Sequence, residues 1–138
     1  MVVVDTNVLS ELMKPLPASE VVGWMNAWPV SQLYTTTITM AEVLYGIEIL
    51  PAGKRRNDMQ QRLEIMFQGK FAGRILTFDI PAARAFAEIS ARRRTMGRPI
   101  LEIDAQIAAI ARSRGASVAT RNIRDFEDCG VALIDPWI

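Results

Sequence analysis

Hydrophobic and polar positions along this chain switch repeatedly between the period of a strand and that of a helix. "MVVVD" at residues 1–5 is an unbroken β-branched run, the pattern of a strand buried on both faces of a parallel sheet. "VLSELM" takes helical spacing and stops at "KPLP", where proline disfavours helix for the residue before it. "ASEVVGWMNAW" predicts a second helix ending before Pro29, "QLYTTT" a strand, and "TMAEVLYGIEIL" a third helix running to "PAGK". Residues 54–70 predict another amphipathic helix, and "RILTFD" a strand that again ends on an acid. "IPAARAFAEISARRRTMG" and "ILEIDAQIAAIARSRG" predict two more helices, each closed by glycine and the first opened near a proline. "ASVAT" and "GVALI" predict the last strands, with the short turn "RNIRDFED" between them.

Strands alternating with helices predict an α/β fold with a mainly parallel central sheet and helices on both faces. The functional crevice of such a fold lies at the carboxyl ends of its strands, which is where Asp5 falls. The 138 residues suit one domain and show no repeat, linker or low-complexity tract.

Several acids sit where a bland role and a chemical one compete. Asp5 is either the N-cap of the helix that follows or a crevice group. Glu42 shares a helical stripe with Ile38, Tyr45 and Ile49, so it needs a partner or a cation, unless the helix is rotated to bring it to water. Asp104 shares a face with Ile100, Ile107, Ala108 and Ala111. Its alternative is to complement the helix dipole, a role for which Glu102 competes. Asn122 and Asp125 both offer oxygens in the turn after a strand, and Asn122 equally suits an ordinary turn. Asp79 reads as the cap of the helix starting near Pro81.

Composition then removes most other chemistry. The chain has no histidine, which excludes histidine-based ribonucleases, Ser-His-Asp hydrolases, Cys-His proteases and the usual zinc sets. No GxxxxGK[ST] loop or GxGxxG turn is present. Cys129 is the single cysteine, so no intrachain disulfide forms and a reducing compartment is expected. The start of the chain reads as a strand and not as a signal peptide. Residues 21–41 carry no formal charge but are too polar to cross a bilayer, so a cytoplasmic protein is expected. The net charge of +1 advertises no global basic field.

Any catalysis must therefore rest mainly on carboxylates, with or without a metal, or on lysine, tyrosine or serine. Acids gathered within a few ångströms repel one another unless a cation is bound. Mg²⁺ or Mn²⁺ is the natural resolution, as a hard ion preferring oxygen ligands. Such a centre suits phosphodiester hydrolysis.

"VVVDTNVLSE", "TMAEVLYGI", "IDAQIAAIA", "VATRNIRDF" and "DPW" together resemble a PIN-domain ribonuclease of the VapC toxin type, and "FAGRILTFD" with "ATRN" is most similar to the FitB-like branch. The resemblance spans essentially the whole chain. It implies a PIN-like three-layer α/β/α domain over residues 1–138 and Mg²⁺- or Mn²⁺-dependent cleavage of RNA. Position by position it implies Asp5, Glu42 and Asp104 as metal-binding catalytic acids. Some relatives have aspartate directly after "TR", where this chain has Asn122. The resemblance then implies Asp125 as the fourth acid, Asn122 as a polar ligand or water-positioning group, and Thr6 and Thr120 as groups orienting water or ligands.

It also implies a cognate antitoxin placing a basic residue in the acidic pocket, contact with operator DNA only through that antitoxin, and a homodimer. Trp24, Met25 and Trp28 offer an apolar surface for the dimer, with core packing as the competing role. RNA needs positive contacts, for which "ARRR" at 91–94, "KRR" at 54–56, Arg112, Arg114, Arg121 and Arg124 are candidates. Arg121 and Arg124 have the best claim because they flank the acids, and Arg93 falls partly on the inner side of its helix below Phe86 and Ile89. A competing class of function is a catalytically idle module whose acidic pocket only grips a basic partner. A phosphate-receiver domain explains neither Glu42 nor the TRN…DF segment.

Overall fold

The computed structural model describes residues 1–138. Its centre is a five-stranded, all-parallel sheet: β1 (Val2–Val4), β2 (Leu33–Thr36), β3 (Ile75–Leu76), β4 (Ser117–Ala119) and β5 (Leu133–Ile134), in spatial order β3-β2-β1-β4-β5. β1 lies in the middle, paired with β2 on one side and β4 on the other. All three of its valines are buried. Because side chains alternate across a strand, Val2 and Val4 enter one core and Val3 the other.

The helices are α1 (Thr6–Leu12), α2 (Ser19–Ala27), α3 (Thr37–Glu48), α4 (Lys54–Ile65), α5 (Ile80–Thr95) and α6 (Glu102–Ser113). Val8, Leu9, Met25, Val43, Ile47 and Leu63 carry α1 to α4 onto the face of Val2 and Val4. Ile89 of α5 and the run Ile107–Ala111 of α6 cover the face of Val3. The small side chains of that run let α6 approach the sheet closely, and α5 and α6 pack together along their lengths. No helix is long and apolar enough to cross a membrane.

The expected elements are present, with four adjustments. The helix expected over 54–70 leaves α-helical geometry at Ile65 and continues as a wider π-helical turn, Met66–Lys70, from which Phe67 and Phe71 are buried. "RILTFD" contributes only Ile75 and Leu76 to the sheet. Asp79 leaves to cap α5, accepting from the Ala82 N–H at 3.1 Å, with Arg114 also at 3.1 Å. "GVALI" is likewise cut to Leu133 and Ile134 on the opposite edge. Finally, Met25 is buried, and Trp24 and Trp28, with ring centroids 6.0 Å apart, pack against the α1–α4 core. Core packing accounts for this trio within the chain.

Glu11 was not singled out from sequence, yet its carboxylate is buried on α1. It accepts from the Ala18 N–H and from Lys14 Nζ, each at 3.0 Å, and so closes the "KPLP" connection to α2. The Ala18 bond first, then Lys14, holds its pKa below the ordinary glutamate value. Glu11→Ala leaves the Ala18 N–H unpaired and should lower stability by about 1 kcal/mol in urea unfolding at neutral pH. A depressed folded pKa gives stability that is present above the unfolded value and fades as pH falls through the folded one. The gap between wild type and variant should therefore shrink in acid.

Candidate functional site

In the strand order β3-β2-β1-β4-β5 the connections run outward on both sides of the β1/β4 boundary, and such a switch point opens a crevice at the carboxyl ends of the strands. Asp5 follows β1 there, only 3% exposed, its N–H donating to the Ala119 carbonyl of β4 at 3.0 Å. Its carboxylate accepts from the Val8 N–H at 3.0 Å, so it does cap α1. Capping and a crevice role therefore coincide in one residue. Burial pushes its pKa up to about 6, against the pull of the Thr120 hydroxyl and the Val8 N–H and with a further push from Glu42.

Glu42 comes from α3, whose start is fixed by Thr36 accepting from the Thr39 N–H at 3.0 Å. The stripe expected to bury it is out of phase, since Tyr45 and Ile49 are 60% and 68% exposed. The buried stripe is Thr39, Val43 and Ile47, one position round the helix. Glu42 thus lies half-buried at the edge of that stripe and faces the crevice instead of the core. The Thr6 hydroxyl donates to Glu42 Oε1 and lies 3.3 Å from Thr39 Oγ1, tying α1 to α3.

Asp104 sits in the first turn of α6, half-buried, whereas its competitor Glu102 is exposed. Its pKa is pushed up to about 6, first by burial, then by the charges of Asp125, Asp5 and Glu42, with Arg93 opposing. The three other proposed site acids therefore all act on this one carboxyl group. Asp125 lies on an exposed 3₁₀ turn, Ile123–Phe126, anchored by buried Phe126. Asn122 is exposed at the start of that turn, its backbone N–H donating to the fully buried Thr120 hydroxyl at 3.0 Å. Asp125 adds its charge to the field at Asp104, whereas the neutral Asn122 amide adds none.

The turn is pinned from behind by Arg93. That side chain is 5% exposed and donates to the carbonyls of Arg98 and Asp125 at 2.8 Å and of Glu127 at 3.1 Å. Its phase below Phe86 and Ile89 signalled burial, but not these targets. The other basic candidates divide. Arg56 pairs with Glu48, Arg112 with Glu88 and Arg114 with Asp79, while Arg121 and Arg124 are exposed beside the acids.

None of Asp5, Glu42, Asp104 and Asp125 forms an ion pair with a lysine or arginine. Nor do any three acids close around a common point. The donor set is all oxygen, carboxylates with the Thr6 and Thr120 hydroxyls near them, and fits a hard divalent ion. A cavity of about 290 Å³ opens beside Thr6 and Glu42 and reaches Arg55. Arg55 also lines a neighbouring cavity of about 410 Å³ with Lys14, Lys54, Arg62 and one acid, Asp58, so a mainly basic wall adjoins the acids.

The sequence matches the PIN domain family over residues 2–131. It is 44% identical over 137 residues to the VapC ribonuclease Y4jK of Sinorhizobium fredii, covering 99% of this chain and 98% of that protein. It is 39% identical over 137 residues to the toxin FitB of Neisseria gonorrhoeae, covering 99% of each. A solved structure of FitAB bound to an IR36 DNA fragment superposes with a TM-score of 0.93 at 38% identity, covering 100% of this chain and 96% of that one.

Proposed function

The chain belongs to the PIN-domain family, and from that premise we propose that it is a Mg²⁺- or Mn²⁺-dependent endoribonuclease, the toxin of a toxin–antitoxin pair. The observation that carries this reading is that Asp5, Glu42, Asp104 and Asp125 are brought to one crevice at the strand ends with no lysine or arginine ion-paired to any of them. Asp5, Asp104, Glu42 and Asp125 would hold the ion, which supplies polarisation of the scissile phosphoryl oxygen and an activated water. The Thr6 hydroxyl orients the Glu42 carboxylate. Thr120 supports Asp5 from β4, and the backbone of Asn122 holds Thr120 in turn. The Asn122 amide stands at the rim to position water. Lys54, Arg55 and Arg62, together with Arg124, offer charge to the phosphates of an RNA strand passing the acids, and Arg121 is exposed beside the same path.

The same acids predict how the enzyme is restrained. A guanidinium or ammonium from a cognate antitoxin would pair with the carboxylates and displace the ion. The similarity to FitB, and to FitAB on DNA, supports a protein partner of that kind, with operator DNA reached only through it. A homodimer fits the exposed Tyr45 and Ile49 on α3 better than the Trp24–Trp28 helix, because the latter is already packed.

Purified, partner-free protein should cut total RNA at discrete sites with Mg²⁺ or Mn²⁺ and leave it intact in EDTA. The second reading, an idle module that only grips a partner, is favoured by Asn122 standing directly after "TR". Intact RNA with every metal, together with tight partner binding, would establish it in place of the nuclease.

A further inference from the structure

The DPW segment at 135–137 has no part in the acid chemistry, yet it puts an aromatic ring beside it. Asp135 Oδ1 accepts the Trp137 N–H at 2.9 Å, Pro136 is buried, and Trp137 rests half-buried against the α1–α4 core. Over its ring lies the Arg121 guanidinium, 5.0 Å from the centroid. Arg121 directly follows Thr120, which supports Asp5, and it takes part in none of the chain's ion pairs. The two side chains share a cavity of about 220 Å³ with Asn7, Ser10, Lys14 and Asn122. Asn7 lies two residues beyond Asp5 and, like Asn122, is exposed. The one acid in the cavity wall, Glu11, is already engaged by Lys14 and the Ala18 N–H, so the unpaired groups of the wall include the Arg121 guanidinium and the Asn7 and Asn122 amides.

We infer that this cavity is a nucleobase subsite: an unpaired base of the RNA strand stacks on the Arg121 guanidinium, backed by Trp137, while the Asn7 and Asn122 amides bond its edge. The inference rests on the ribonuclease reading of the neighbouring acids and names the part of the substrate that reading leaves open. A guanidinium plane stacks on bases, and an aromatic ring on its other side holds the guanidinium in place. An amide carries both donors and an acceptor, the complement of a base edge. A simple phosphate contact needs only the charge of Arg121, whereas stacking needs its plane.

That difference sets the test. Binding of a short, fluorescein-labelled single-stranded RNA is measured by anisotropy in an Asp5→Asn background, which keeps the strand intact, and wild-type cleavage is followed in parallel. Arg121→Ala should weaken binding roughly tenfold, within the range found for losing one stacked base. Arg121→Lys keeps the charge but loses the plane, and should weaken binding about as much. Asn7→Ala, in the cleaving protein, should change which bases flank the cuts. Lysine restoring wild-type affinity would make Arg121 a phosphate contact and overturn the subsite. Unchanged affinity in both Arg121 variants would overturn it too, leaving the cavity to a protein partner and the nuclease reading intact. If the wild type cuts no RNA with any metal, both readings fall together.

Discussion

Asp5→Asn should lower metal-dependent RNA cleavage at least about a thousandfold while leaving the fold in place. Removing one charged ligand forfeits several kcal/mol of transition-state stabilisation, and about 4 kcal/mol corresponds to three decades in rate. The fold survives because the structural duty of Asp5 does not require charge. Asparagine is as good an N-cap as aspartate, and its amide oxygen can accept the Val8 N–H that Asp5 now takes at 3.0 Å. The backbone bond from Asp5 to Ala119 is indifferent to the side chain. Cleavage of a labelled RNA at saturating Mg²⁺, read beside circular dichroism and urea unfolding, separates the two roles. A variant cutting at the wild-type rate would remove Asp5 from the catalytic set. Asp5→Ala is the less informative change, because it also loses the cap, at a cost of about 1 kcal/mol.

That separation of roles explains why the site was partly legible in the sequence. A buried strand running directly into an acid marks Asp5 whichever role is chosen, because a doubly wound sheet delivers strand ends to one crevice. Asp104 was legible because the small residues after it fix which face of α6 is buried. Glu42 was found for a reason that fails in detail. Counting Tyr45 and Ile49 as buried gave the wrong phase, and α3 instead buries Thr39, Val43 and Ile47. Hydrophobicity alone could not show that a fully buried threonine outranks an exposed tyrosine here. The lengths of β3 and β5 were overestimated because both are edge strands, whose residues beyond the paired stretch serve as caps and turns. The role of Glu11 and the targets of Arg93 were hidden for a different reason. Apart from Lys14 on Glu11, their main partners are backbone groups, the Ala18 N–H and the carbonyls of Arg98, Asp125 and Glu127, and no residue type announces these. The Arg121–Trp137 contact joins segments that only the pairing of β4 with β5 brings together.

Partner-free protein should be less stable at pH 7 than at pH 5, and Mg²⁺ should restore more stability at the higher pH. Asp5 and Asp104 each have a folded pKa of about 6 against an ordinary value of 3.8. Between those values the native state binds more protons than the unfolded one, so stability falls as pH rises through the window and levels off above it. For almost fully buried Asp5 a rise of about two units corresponds to at most ~3 kcal/mol; Asp104, more open to solvent, adds less. A divalent ion binds the deprotonated carboxylates, so its stabilisation grows as those protons leave. Asp5→Asn abolishes the largest part of the penalty and one ligand together. At pH 7 without metal the variant should therefore unfold at a higher temperature than wild type, and added Mg²⁺ should raise its midpoint much less. Thermal unfolding of both proteins at pH 5 and pH 7, with and without Mg²⁺, gives all the comparisons needed. An equal Mg²⁺ effect at the two pH values, or one undiminished in the variant, would place the ion away from Asp5. The expected pattern instead would make the acids a source of instability that the fold retains for the sake of the cation proposed to bind there.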